Sequence, residues 1–272
     1  MACFHALLPA VLRLLFAVLA ALLLSTTAGA HPEDEFCVPG EPGIDPALCR
    51  ALAALNSGEE TATDAQLAPL LDELGNERGF GSTFVLYVGI GVDHILPGGL
   101  DHILFVLALF LASRRTRNLV LQITAFTVAH TVTLALAATG VIQPSPAWVE
   151  PFIALTIAFV AFENVVFRNM TWWRPLVVFA FGLIHGLGFA GFFGELGLPS
   201  GQFWSALLGF NLGVEVGQLS VVALAWCLVW LLKRMFDAMI NDETYRRAVV
   251  VPCSVAIGLV GAWWTVERLL SQ

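Results

Sequence analysis

The chain has 272 residues, of which 58% are hydrophobic and only 12% charged, with a formal net charge of −8. Soluble domains carry about a quarter charged residues, so this composition, with a mean hydropathy of +0.80, excludes a water-soluble globule, a disordered chain and a coiled coil. What it specifies is an all-α, polytopic membrane helix bundle. The acidic excess is local, because residues 31–82 hold 11 of the 21 acids and two of the 13 bases. No basic face exists to hold nucleic acid.

Residues 1–30 read as a cleaved signal peptide. Arg13 is the only charge before the apolar run Leu14–Leu24, and the small residues from Ser25 follow, with Ala28 and Ala30 at −3 and −1 of a signal-peptidase site. The run is short for a spanning helix. Residues 31–82 then form an acidic periplasmic segment, in which Leu67, Leu70, Leu71 and Leu74 have helical spacing. It has the apolar content for a small helical cap at most, and a solvated tether is the simpler reading. Cys37 and Cys49 are the only cysteine pair in this exported, oxidising compartment and are the candidate disulfide. Cys227 and Cys253 lie in apolar runs and read as small core residues.

Residues 83–272 make up the transmembrane domain, with six predicted spans: roughly 84–112 (interrupted), 118–139, 148–167, 174–193, 203–232 and 248–267. Each regular one approaches the ~20 residues that a hydrocarbon core demands. The loops 113–118 (Arg114, Arg115, Arg117), 168–174 (Arg168, Arg174) and 233–247 (Lys233, Arg234, Arg246, Arg247) hold nine of the 13 basic residues, and the loops 140–147 and 194–202 hold none. By the positive-inside rule the basic loops are cytoplasmic. Residues 31–82 and the C-terminus are then periplasmic.

The first span is broken. Two Asp-His pairs, Asp93-His94 and Asp101-His102, bracket Pro97-Gly98-Gly99. Proline removes a backbone donor and glycine admits non-helical angles. Such a break at membrane depth survives only where protein or a water-filled cavity satisfies the freed backbone groups, and discontinuous helices are common binding-site architecture in transporters. Neighbours on a helix point about 100° apart, so each Asp is not automatically the partner of its own His.

Further polar residues lie at comparable depth: His130 beside Thr127, His185 in Phe181-Gly-Leu-Ile-His185-Gly, and Glu215 with Asn211 and Gln218 at i−4 and i+3. Glu163 lies nearer the cytoplasmic end of its span. An ionisable group at the bilayer centre costs about 3 kcal/mol on insertion scales, so Asp93, His94, Asp101, His102, His130, His185 and Glu215 point to a shared polar interior whose members partner one another, a water-filled cavity or a metal cation, and they are its candidate metal ligands. Asn211, Gln218, Glu163 and Thr127 are its supporting polar groups. Imidazole and carboxylate donors without an available thiolate suit a divalent transition metal such as Ni, Co, Zn, Fe or Mn. Gly209, Gly213 and Gly217 recur at i, i+4 and i+8 on roughly the opposite face of their helix and let a neighbouring backbone approach.

These stretches resemble the HupE/UreJ family of membrane proteins, specifically its second, periplasmically extended group. The resemblance rests on His94-Ile-Leu-Pro-Gly-Gly-Leu-Asp101-His102, Thr124-Ala-Phe-Thr-Val-Ala-His130-Thr, Val149-Glu150 through Glu163-Asn164, Phe181-Gly-Leu-Ile-His185-Gly and Gly209-Phe-Asn211-Leu-Gly-Val-Glu215-Val-Gly-Gln218. It covers roughly residues 83–232. It implies a bacterial inner-membrane protein, with nickel favoured as the ion and metalloenzyme maturation machinery as a possible partner.

Three function classes follow. The first is a permease or facilitator for a divalent transition metal, driven by the ion gradient or membrane potential because no G-x-x-x-x-G-K-[ST] sequence occurs. The second is an intramembrane metal-dependent enzyme with Glu215 as base, although no H-E-x-x-H pattern is present. The third is a non-transporting accessory or assembly protein whose polar network specifies packing.

Overall fold

The computed structural model describes residues 79–113, 115–168, 171–189, 200–235 and 242–271. The predicted signal peptide, nearly all of the acidic segment with Cys37 and Cys49, and Arg114 lie outside the described residues. Among the described residues every regular element is helical. In chain order they are α1 (Phe80–Ile95), α2 (Leu100–Ala112), α3 (Thr116–Ala138), α4 (Pro146–Val166), α5 (Arg174–Gly188), a single 3₁₀ turn (Ser200–Gln202), α6 (Phe203–Met235), α7 (Asp242–Tyr245), a π turn (Arg246–Val250) and α8 (Val251–Leu270).

Four stretches are long and apolar enough to cross a membrane: α3, α4, Phe203–Leu231 of α6, and Glu243–Leu270 through α7 and α8. The pair α1–α2, bent by 74° at its break, makes a fifth if it counts as one span. Each predicted span thus has a helix. The span predicted over 174–193 is α5, whose 15 residues reach only about 22 Å at 1.5 Å per residue. Its predicted continuation from 190 onward lies outside the described residues.

The break between α1 and α2 follows from its sequence. Leu96, restricted by the proline after it, is extended at φ −127° and ψ 113°, and α1 cannot continue through it. The backbone repairs itself locally, with Leu96 N–H donating to Val92 O at 2.8 Å and Ile103 N–H to Gly99 O at 2.9 Å. Gly99 has no room for a side chain, since a Cβ there would run into the carbonyl of His94.

The bundle is assembled from three closely packed pairs, α1 on α6, α4 on α8 and α3 on α5. Lipid tails are as apolar as leucine, so such pairs gain from close backbone approach rather than from hydrophobic burial. The glycine stripe of α6 serves this end: Gly209, Gly213 and Gly217 lie against Phe84, Val88 and Ile95 of α1. Gly182 and Gly186 of α5 do the same against Phe126 and His130 of α3. The interior is filled by Phe105, Phe126, Phe210, Leu109, Ile123 and Ile157, while Phe152, Leu155, Phe159, Leu212, Leu224 and Leu259 point outward, as lipid-facing residues do. Cys227, expected in the core, is exposed on α6, and Cys253 is half-buried.

Candidate metal centre

The break aims the end of α1 and the start of α2 at the same point. His94, in the last turn of α1, and His102, in the first turn of α2, have ring centroids 4.9 Å apart. Each of two neighbouring helices adds one ring. His130 of α3 lies 6.1 Å from His102 and His185 of α5 lies 5.0 Å from it. His102 is therefore the hub of a four-histidine cluster drawn from four helices. His94, His102 and His130 each offer a ring nitrogen within 4.8 Å of the other two. Around a tetrahedral ion at a metal–nitrogen distance of ~2.1 Å, neighbouring nitrogens stand about 3.4 Å apart, so the three rings would have to draw together by at most about 1.4 Å to share one.

Hydrogen bonds fix the state of two of the four rings. Asn211 Nδ2 donates to the Leu207 carbonyl at 2.8 Å, so its Oδ1 faces His130 Nδ1 at 3.0 Å. An amide oxygen only accepts. His130 therefore carries its proton on Nδ1, and Nε2 is a bare lone pair. The same logic holds at His185. The Thr156 hydroxyl gives its only proton to the Ile153 carbonyl at 2.7 Å, so it accepts from His185 Nε2–H at 2.9 Å and leaves Nδ1 bare. Orienting a ligating imidazole through its other nitrogen is what partners behind a metal site do.

Neither bare nitrogen has a hydrogen-bond partner. Nε2 of His94, Nε2 of His102, Nε2 of His130 and Nδ1 of His185 are all buried and unpartnered. His130 and His185 are at most 1% exposed and His102 is 6% exposed. Leaving a buried polar atom unsatisfied costs about 1–3 kcal/mol, and all four belong to rings of one cluster. The wall is aromatic: Phe189 and Phe210 flank His94 at 4.1 and 5.5 Å, Phe126 flanks His102 at 5.8 Å, and Phe105 flanks His185 at 5.3 Å. Water has little access, and the donor set fits a borderline transition metal.

The acids predicted beside these histidines lie elsewhere. Asp93 is exposed on the outer side of α1. Asp101 pairs with Arg268 of α8 at 3.0 Å, and Arg268 also donates to the Glu150 carbonyl. Glu215 is half-buried and accepts from Thr124 at 2.6 Å, with Thr127 and Gln218 paired beside it at 3.4 Å. Glu163 forms a buried ion pair with Arg174 at 3.3 Å, both side chains being 3% exposed, and accepts from Thr171 at 2.7 Å. Thr156 and the phenylalanines of the wall were not legible as site residues, because a lone threonine or phenylalanine in an apolar span carries no ligand signal.

A family model described as HupE / UreJ protein matches residues 72–268. No curated protein and no solved structure matches the chain.

Proposed function

The chain belongs to the HupE/UreJ family, and from that premise we propose that it is a multi-pass permease moving a divalent transition metal through the histidine cluster. Nickel is the favoured ion, with cobalt, zinc, iron and manganese as competitors, and the metal is substrate rather than resident cofactor. The observation that carries this reading is that four clustered histidines each keep a buried, unpartnered ring nitrogen, three of them with ring nitrogens within 4.8 Å of one another. His102 is the hub ligand, His94 and His130 complete the trio, and His185 is the fourth donor. Asp101 and Glu215 are assigned to the path on either side of the trio rather than to direct ligation, and the exposed Asp93 to neither.

Weak retention belongs to this mechanism. Neutral imidazoles do not cancel the double charge of the ion, and an uncompensated charge in low dielectric is costly. A conducting site must bind well enough to admit the ion and loosely enough to release it. With the basic loops cytoplasmic and residues 31–82 and the C-terminus periplasmic, a divalent cation entering the cytoplasm gains about 4.6 kcal/mol per 100 mV of membrane potential. Residues 1–30, 31–82 and 83–272 are then signal peptide, periplasmic segment and transmembrane domain of an inner-membrane protein. The test is uptake of Ni²⁺ into proteoliposomes holding an interior-negative potential. Wild type is expected to give saturable uptake that His102→Ala lowers at least tenfold. Equal uptake by protein-free vesicles and wild-type vesicles refutes the permease reading.

A further inference from the structure

At the end of the bundle that carries the basic loops, a cavity of about 810 Å³ opens between α2, α3, α4, α5 and the α7–α8 junction. Its size lies within the ~300–1,000 Å³ range of small-molecule sites. Arg115, Arg168, Arg174 and Arg246 line it together with Glu163 and Glu243, so four guanidiniums face two carboxylates and a charge of +2 remains. The pairings show where that surplus sits. Arg174 is matched by Glu163 and Arg168 by Glu243, which also holds Arg247. Arg246 spends its donors on backbone carbonyls at the end of α4, reaching Val165 at 2.8 Å and Asn164 at 3.0 Å, and no carboxylate among the described residues pairs with it. Arg115 is exposed at the mouth.

Two independent features point the same way. The buried Nε–H of Arg174 has no acceptor, although its two terminal nitrogens both reach Asn164 Oδ1 at 3.1 Å. α3 also begins at this wall, after Arg115, with no side-chain cap and no acidic residue in its first turn, whereas the first N–H groups of α5 are already spent on the Thr171 and Trp173 carbonyls. Helix N-termini present partial positive charge and free N–H groups to anions. Arginine forks match the oxygens of a phosphate.

We propose that this cavity binds a phosphate-type oxyanion, carried either by the headgroup of an anionic phospholipid or by a soluble phosphate. Its place among the basic loops suits a lipid headgroup, since such pockets between membrane helices attract anionic lipids. The site does not depend on the metal reading and lies apart from the histidine cluster.

Native mass spectrometry of the full-length, detergent-purified protein tests it, with phosphatidylglycerol, phosphatidylcholine and inorganic phosphate as separate probes. Arg115→Gln and Arg168→Gln are the test variants, both being exposed side chains whose loss the fold tolerates. Arg234→Gln, an exposed arginine stacked on Trp230 and outside the cavity, is the control. Wild type is expected to retain phosphatidylglycerol at least tenfold better than phosphatidylcholine, and each test variant to lose about tenfold in affinity while the control does not. Retention of inorganic phosphate with the same variant dependence, but no preference between the lipids, assigns the site to a soluble phosphate. Failure to retain either anion overturns the proposal. So does equal loss in the control and the test variants.

Discussion

At the scale of single residues, the state of the histidine cluster is set by the groups behind its rings. Asn211 and Thr156 each accept a hydrogen bond from the far nitrogen of a histidine and thereby present the near nitrogen bare. Removing such an orienting partner typically costs 10–100-fold in metal affinity. Asn211→Leu and Thr156→Val are each expected to weaken Ni²⁺ binding by about that factor in isothermal titration, with helix content by circular dichroism unchanged. Undiminished affinity in both would separate these hydrogen bonds from metal binding. Asp93→Asn, on the exposed side of α1, is expected to stay within about twofold of wild type. The sequence brings Asp93 and His94 together as neighbours, yet one helical step turns one outward and the other inward. Residue type and depth were therefore legible from the chain, and facing was not.

The buried Glu163–Arg174 pair makes a second residue-scale prediction. Removing one member of a buried pair leaves an uncompensated charge and costs about 3–5 kcal/mol, whereas replacing both with apolar residues is often close to neutral. Arg174→Leu is thus expected to lower the thermal unfolding midpoint sharply, and Glu163→Leu added to it to restore most of the loss. Additive losses in the double variant would show that the two side chains act independently. The sequence placed Glu163 as a polar group near the end of a span, but its partner across the loop is a tertiary fact.

At the scale of helices, the bundle depends on glycine seams that hold the broken span in place. A Cβ on Gly91 would collide with the Phe210 carbonyl and come within 3.0 Å of Gly213 Cα, whereas a Cβ on Gly89 meets nothing within 4 Å. Backbone cannot yield as a flexible side chain can. Gly91→Ala is therefore expected to destabilise by about 1–3 kcal/mol and to weaken metal binding, because α1 carries His94 and α6 carries Asn211. Gly89→Ala is expected to be neutral or slightly stabilising, as alanine is the better helix former. Similar melting temperatures for the two variants would contradict the close α1–α6 approach. The existence of the helices was legible from their apolar runs, and the break from Pro97-Gly98-Gly99. The stripe Gly209, Gly213 and Gly217 announced a close neighbour without naming it. The shortness of α5 could not be read, because its apolar sequence runs on past the point where the described helix ends.

At the scale of the whole molecule, the charged groups are sorted along the bundle. The residues around Arg115, Arg168, Arg174 and Arg246 gather at one end, and the histidines lie deep within an aromatic box. The chain belongs to the HupE/UreJ family, and four of its helices each bring one histidine to a common cluster. The spacing of histidines along separate helices announced polar residues at one depth. That four rings would meet, and that the carboxylates would be occupied by Arg268, Thr124 and Arg174 instead, depended on packing angles that no local pattern encodes.

The most direct measurement is the metal stoichiometry and affinity of detergent-purified protein across Ni, Co, Zn, Mn and Fe, with His102→Ala and His185→Ala alongside. One transition-metal ion per chain is expected, abolished by His102→Ala and weakened at least tenfold by His185→Ala, in proteins that stay folded. A well-folded wild type that binds none of the five would contradict it and leave the four histidines as a packing network.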